Sequence, residues 1–178
     1  WGPILSCSIY KTEMLKNSKY KLLEKTFYVD MQLNTYVAIL CDTITYYDLN
    51  IYRYFLGRDG QSVSRNSYRK NYKHHENVCF AMLEAYYDMY DKISKNKQLY
   101  IKNKLIIPML YTQYYICINY HKSSLPFNEF DNRLKKYSEF YNHPWVVSKT
   151  TKFHRFTFGL LIWSNPAIVK VKNLIKRK

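Results

Sequence analysis

Between residues 72 and 93, apolar side chains return at three- and four-residue steps: Tyr72, Val78, Cys79, Met82, Tyr86, Met89 and Ile93. That is the period of one face of an α-helix. A chain carrying so long a stripe must supply further elements to cover it. The reading predicts a long helix starting near residue 64. Ser62 or Ser64 is its expected N-cap, because a serine oxygen accepts from a free amide of the first turn. A second helix is expected over residues 97–120, bent or interrupted at Pro108, whose ring removes a backbone donor. A third is expected over residues 128–141, with Phe130, Leu134, Tyr137 and Tyr141 on one face.

The first part of the chain reads as mixed. "ILSCSIYKTEMLKN" is expected to be a short extended piece running into a helical turn or two. "VDMQLNTYVAILCDT" places Met31, Leu33, Val37, Ala38 and Cys41 on one helical face. "TITYYDLNIYRYFL" is β-branched and aromatic, with a turn signal at Asp48, Leu49 and Asn50, and is expected to form two short strands. The following "YRYFLGRDGQSVS" holds Gly57 and Gly60, two of the chain's four glycines, on either side of Arg58 and Asp59. Glycine lets a backbone approach a ligand closely. A turn carrying Gly57, Arg58, Gly60, Gln61, Ser62 and Ser64 suits an anion or a sugar. The same residues also suit a purely structural turn.

At 178 residues the chain is long enough for one core, and 47% hydrophobic content excludes a disordered polymer. The net charge of +15 invites a nucleic-acid or anionic-membrane reading. However, Lys, Asn, Tyr, Ile and Phe all have AT-rich codons, so base composition alone can generate much of that charge. Cys7, Cys41, Cys79 and Cys117 form no C-x-x-C pair and lie among apolar neighbours, as buried free thiols do. His75 and Cys79 have the i, i+4 spacing of a metal pair, but no second pair completes a site. Reduced thiols fit a cytoplasmic protein. No apolar run reaches the roughly 18 residues of a spanning helix. The chain starts at Trp1, Gly2 and Pro3 without an initiator methionine, as an excised piece would.

The end of the chain is basic throughout. No acidic residue follows Glu139, while Lys149, Lys152, Arg155, Lys170, Lys172, Lys176, Arg177 and Lys178 flank an apolar run up to Trp163. Such a tail suits an anionic membrane interface at the inner face of the plasma membrane. It equally suits a terminal helix packed on the domain with a solvated basic end.

Three stretches in order carry a resemblance: Tyr10 to Leu15 ("YKTEML"), Phe27 to Asp30 ("FYVD"), and Tyr52 to Ser64. With the leading "WGP" they resemble the C-terminal half of family 2 glycosyltransferases. The likeness is to the bacterial members that build capsule, exopolysaccharide and cell-surface glycans, and it covers roughly residues 1–75. It implies an α/β fragment, mainly helical. Residues 1–65 would be the acceptor-side part of a GT-A domain, with short strands and an acceptor-side helix. Residues 66–178 would be a C-terminal helical bundle ending in the basic amphipathic tail.

The chemistry implied is inverting sugar transfer from a nucleotide-sugar donor to a glycan or lipid-linked acceptor. Asp30 would be the general base that takes the acceptor hydroxyl's proton. Arg58 would meet the donor diphosphate with its planar fork, helped by Gln61 and Ser62, and Trp1 would stack on an acceptor sugar. Val29 stands where the family has a second acidic residue, which leaves Asp30 alone in that role. The chain has no D-x-D and no N-terminal β-α-β pattern. The Mn or Mg ion expected in the intact enzyme therefore goes with a donor-binding half outside this sequence, and none is expected on this part. Two other classes stay open: a helical interaction or assembly domain of a membrane-associated synthase, and a single-stranded nucleic-acid module. The resemblance implies no nucleic-acid partner.

Overall fold

A computed structural model describes residues 7–53, 55, 61, 62, 64–157 and 159. Among these the protein is helical: α1 (Thr12–Lys16), α2 (Val29–Leu40), α3 (Arg65–Lys70), α4 (Tyr72–Met89), α5 (Lys95–Tyr100), α6 (Ile107–Asn119), α7 (Leu125–Leu134), α8 (Ser138–Tyr141) and α9 (Lys149–Phe156). The stripe that defined α4 is buried as its period requires. Val78, Cys79, Met82, Leu83 and Tyr86 are almost fully excluded from water at the centre of one core. Around them pack Tyr36 and Ile39 of α2, Leu110, Tyr114 and Cys117 of α6, Phe127, Phe130 and Leu134 of α7, and Phe140 of α8. Residues from both sides of position 65 therefore share a single core.

The long helix expected from residue 64 is divided. Ser64 caps α3, its Oγ accepting from the Ser67 amide at 3.1 Å. The helix then breaks at Asn71, whose ψ of 23° departs from helical geometry. A 3-10 turn, Tyr90–Lys92, ends α4 before the buried Ile93.

Proline chemistry explains the next rod. α5, a π-helical segment (Ile101–Ile106) and α6 run on without a gap up to Asn119. Pro108 offers no amide and its ring crowds the carbonyl four residues back. The chain absorbs this by widening to the π register, in which the Ile107 N–H donates to the Lys102 carbonyl five residues earlier. The expected interruption is thus a change of register within an unbroken run of helix. The helix expected over residues 128–141 is split into α7 and α8, and Phe130 and Leu134 are buried as read.

The expected strands and the expected inward face of α2 are not found. No strand forms among the described residues. The stretch 43–53 is irregular, and Ile44, Tyr46, Tyr47, Leu49 and Ile51 are all exposed. Strand propensity is realised only against a neighbouring strand and a covered face, and among the described residues this stretch has neither. The buried face of α2 is also not the apolar one. Gln32, Thr35, Tyr36 and Ile39 point inward, while Met31, Leu33, Val37 and Ala38 are half-buried. Hydrogen bonds reverse the preference. Gln32 Oε1 accepts from the Leu23 amide at 3.1 Å, and its Nε2 donates to the Tyr36 hydroxyl at 2.6 Å. A buried amide so satisfied costs little.

Polar networks tie the outer helices together. Glu76, fully buried, meets Lys73 at 3.2 Å and Arg133. Asp131 accepts from Tyr114 Oη (2.6 Å), Tyr141 Oη (3.1 Å) and Arg155 Nε (2.6 Å). Arg155 also stacks over Tyr141 at 3.6 Å, docking α9 on α7 and α8. All four cysteines are free. Cys79 and Cys117 are buried and Cys41 half-buried, but Cys7 is exposed, contrary to expectation, because the short α1 beside it buries no residue. Of the basic tail, α9 is packed through Thr151 and His154. Residues 160–178 lie outside the described residues. No described helix is long and apolar enough to cross a membrane.

Candidate functional site

Asp30 is the second residue of α2, in its first turn and exposed to solvent. A carboxylate is favoured there by the positive helix end. The residue that positions it is Tyr28, the N-cap, whose φ is 69°. A bulky L-residue in this left-handed region costs about 1–2 kcal/mol, so neighbouring contacts must hold it. The Tyr28 hydroxyl donates to the Ser62 carbonyl at 2.9 Å. Its ring lies parallel to Tyr68 of α3 (5.4 Å, 2°), with the His75 ring edge-on at 5.0 Å. Next to it, the Phe27 amide donates to His74 Nδ1 at 3.3 Å, and the two rings stack. Burial pushes the Tyr28 phenol up to about 12; Tyr68 and Asp30 add in the same direction, and Ser67 opposes.

The expected site residues fall out as follows. The structure brings the "FYVD" stretch and the Gln61–Ser64 turn together through Tyr28. Ser62 enters through its backbone carbonyl. The Gln61 Nε2 donates to the Phe55 carbonyl at 2.6 Å. Arg58 and Trp1 lie outside the described residues.

His75 serves as a pillar beneath Tyr28. It is buried, its Nδ1 is 2.8 Å from Gln113 Oε1 of α6, and Cys79 Sγ lies at 3.7 Å. Burial lowers its pKa to about 4 against the opposing Gln113 bond, so the ring is neutral near neutral pH. Among the described residues, no group of three or more His, Cys, Asp or Glu is placed to hold a metal ion. Sequence reading did not single out Tyr68, His74 or Arg65. Their signal was present, since Arg65, Tyr68 and Arg69 lie three and four residues apart on one helical face.

A separate open groove of about 510 Å³ lies between residues 19–23, α2 and α4. Tyr20 stacks on Tyr36 at 4.8 Å along it, and Asp88 takes both the Tyr20 hydroxyl (2.8 Å) and Lys19 (2.6 Å). Those polar groups already satisfy one another. No family model, curated protein or solved structure matches the chain.

Proposed function

We propose that the chain is the acceptor-side part of an inverting family 2 glycosyltransferase. It would work with a nucleotide-sugar-binding half to build a surface glycan on a glycan or lipid-linked acceptor. The observation that carries this is Tyr28: one strained residue ties the helix start bearing Asp30 to the Gln61–Ser64 turn. Two of the three resembling stretches are thus neighbours in space as well as in order. Strain that neighbouring contacts hold in place is characteristic of functional sites.

In this reading an acceptor hydroxyl approaches Asp30 from solvent. The carboxylate takes the proton as the oxygen attacks the anomeric carbon, and the nucleotide diphosphate leaves with the bonding pair. Arg58, which lies outside the described residues, would meet the leaving diphosphate with its planar fork. The described residues do not fit a metal ion, so no step passes through one here. The Mn or Mg ion goes with the donor half. The chain alone is expected to turn over no nucleotide sugar, with or without added manganese. Turnover by the isolated chain in a radiolabelled-donor assay would contradict the division of labour proposed.

A second reading has its own observation. Between residues 44 and 55, Ile44, Tyr46, Tyr47, Leu49, Ile51 and Phe55 are exposed in one stretch, as in a surface that docks on another protein. If the chain is only an assembly module of a synthase, replacing Ile44 and Leu49 by Ser abolishes co-purification with the synthase, and Asp30→Asn leaves transfer normal.

A further inference from the structure

The ring contacts that hold Tyr28 continue past Tyr68. Tyr68 stacks on Tyr120 (6.3 Å, 29°), and Tyr120 takes Tyr115 edge-on at 5.5 Å. The Arg65 guanidinium lies over the Tyr120 ring at 5.5 Å. Arg65 and Arg69, on the same face of α3 as Tyr68, are both exposed, and Tyr115 is 45% exposed. Beside them His121 meets Tyr72 edge-on at 4.5 Å, and its buried Nε2 has no hydrogen-bond partner among the described residues. A strip of tyrosine rings thus runs from two residues before Asp30 to the end of α6, edged by two cations and an unsatisfied imidazole nitrogen.

Charge selects the ligand. Arg65 and Arg69 make no ion pair or hydrogen bond among the described residues. A neutral glycan would cover the tyrosines with its C–H faces but leave both guanidiniums unmatched. A phosphate beside the sugar matches them, since guanidinium presents paired donors to phosphate oxygens. We propose that Tyr115 and the rim of Tyr120, with Arg65 and Arg69, bind the phosphate-bearing end of a saccharide acceptor, Tyr68 backing Tyr120 from inside. Its role as acceptor rests on the glycosyltransferase reading, while the binding itself rests on the geometry of the strip.

The test is calorimetric titration of the full chain with three probes: farnesyl-diphosphate-linked N-acetylglucosamine, N-acetylglucosamine 1-phosphate, and unphosphorylated diacetylchitobiose. Both phosphorylated probes should bind, with chitobiose at least tenfold weaker. Tighter binding of the farnesyl probe identifies a lipid-linked ligand, and equal binding a free sugar phosphate. Arg65→Ala with Arg69→Ala should weaken phosphorylated-probe binding tenfold or more. Lys135→Ala with Lys136→Ala removes the same charge elsewhere and should change it less than twofold. Tyr115→Ala, at an exposed ring, should weaken it several-fold without unfolding. The proposal is overturned if neither phosphorylated probe binds, if chitobiose binds as well, or if both double variants lose affinity equally. These titrations need no transfer reaction. Probe binding without transfer when the chain is combined with its proposed nucleotide-sugar-binding half (the joined enzyme) overturns the glycosyltransferase reading and leaves the site. Normal transfer by the Arg65→Ala, Arg69→Ala joined enzyme overturns the site and leaves that reading.

Discussion

Tyr28 shows how much a single residue can organise. Its left-handed backbone is unfavourable alone, yet a hydrogen bond to Ser62, a stack on Tyr68 and the His75 edge all converge on it. His75 makes the arrangement sensitive to pH. Its folded pKa of about 4 lies below the unfolded value of about 6.5. Between these values the unfolded chain binds the proton and the fold does not, so stability falls as pH drops through that window and levels off below it. The shift corresponds to about 3 kcal/mol. His121, His143 and His154, also lowered chiefly by burial, act in the same direction. Urea unfolding at intervals from pH 7 to 4 should show this loss, and His75→Gln should flatten part of the slope. An unchanged slope in His75→Gln would show that His75 is not a neutral buried group.

At the scale of elements, α3 and α9 make the sharpest claims. Ser64 caps α3 and Ser62 does not. Ser64→Ala should therefore cost about 1 kcal/mol, while Ser62→Ala leaves denaturant stability within a few tenths. Equal effects would remove the cap assignment. Arg155 ties α9 to Asp131, Tyr114 and the Tyr141 carbonyl. Arg155→Ala strands a nearly buried carboxylate and should cost about 3 kcal/mol, with faster amide exchange over α9 checking the cause. The helices were legible where apolar residues carry the period, as in α4 and in Phe130 and Leu134 of α7. Pro108 announced its disturbance by its chemistry alone. The inward face of α2 was not legible. Gln32 and Thr35 are buried through partners on other segments, and apolar periodicity counts no such partner. The breaks at Asn71 and between α7 and α8 escaped for a similar reason: a face that stays in phase hides the interruption.

For the whole molecule, one core joins α2 to the helices after position 65, so the helix bearing Asp30 is held by the same packing as the rest of the bundle. The stretch with the strongest strand propensity, residues 43–53, lies outside that core with its aromatics in water. Local preference could not supply the neighbour that a strand requires. Of the candidate site, the place of Asp30 at a helix start was legible in the sequence. Its nearness to the Gln61–Ser64 turn was not, because it runs through Tyr28, whose backbone angle no side-chain pattern announces. The central claim is that Asp30 removes the acceptor proton. It is tested by single-turnover transfer in the joined enzyme carrying Asp30→Asn, with donor binding measured alongside. Loss of a general base should lower the transfer rate by about 10²- to 10⁴-fold and leave donor affinity within twofold. A near-normal rate in Asp30→Asn would contradict the assignment.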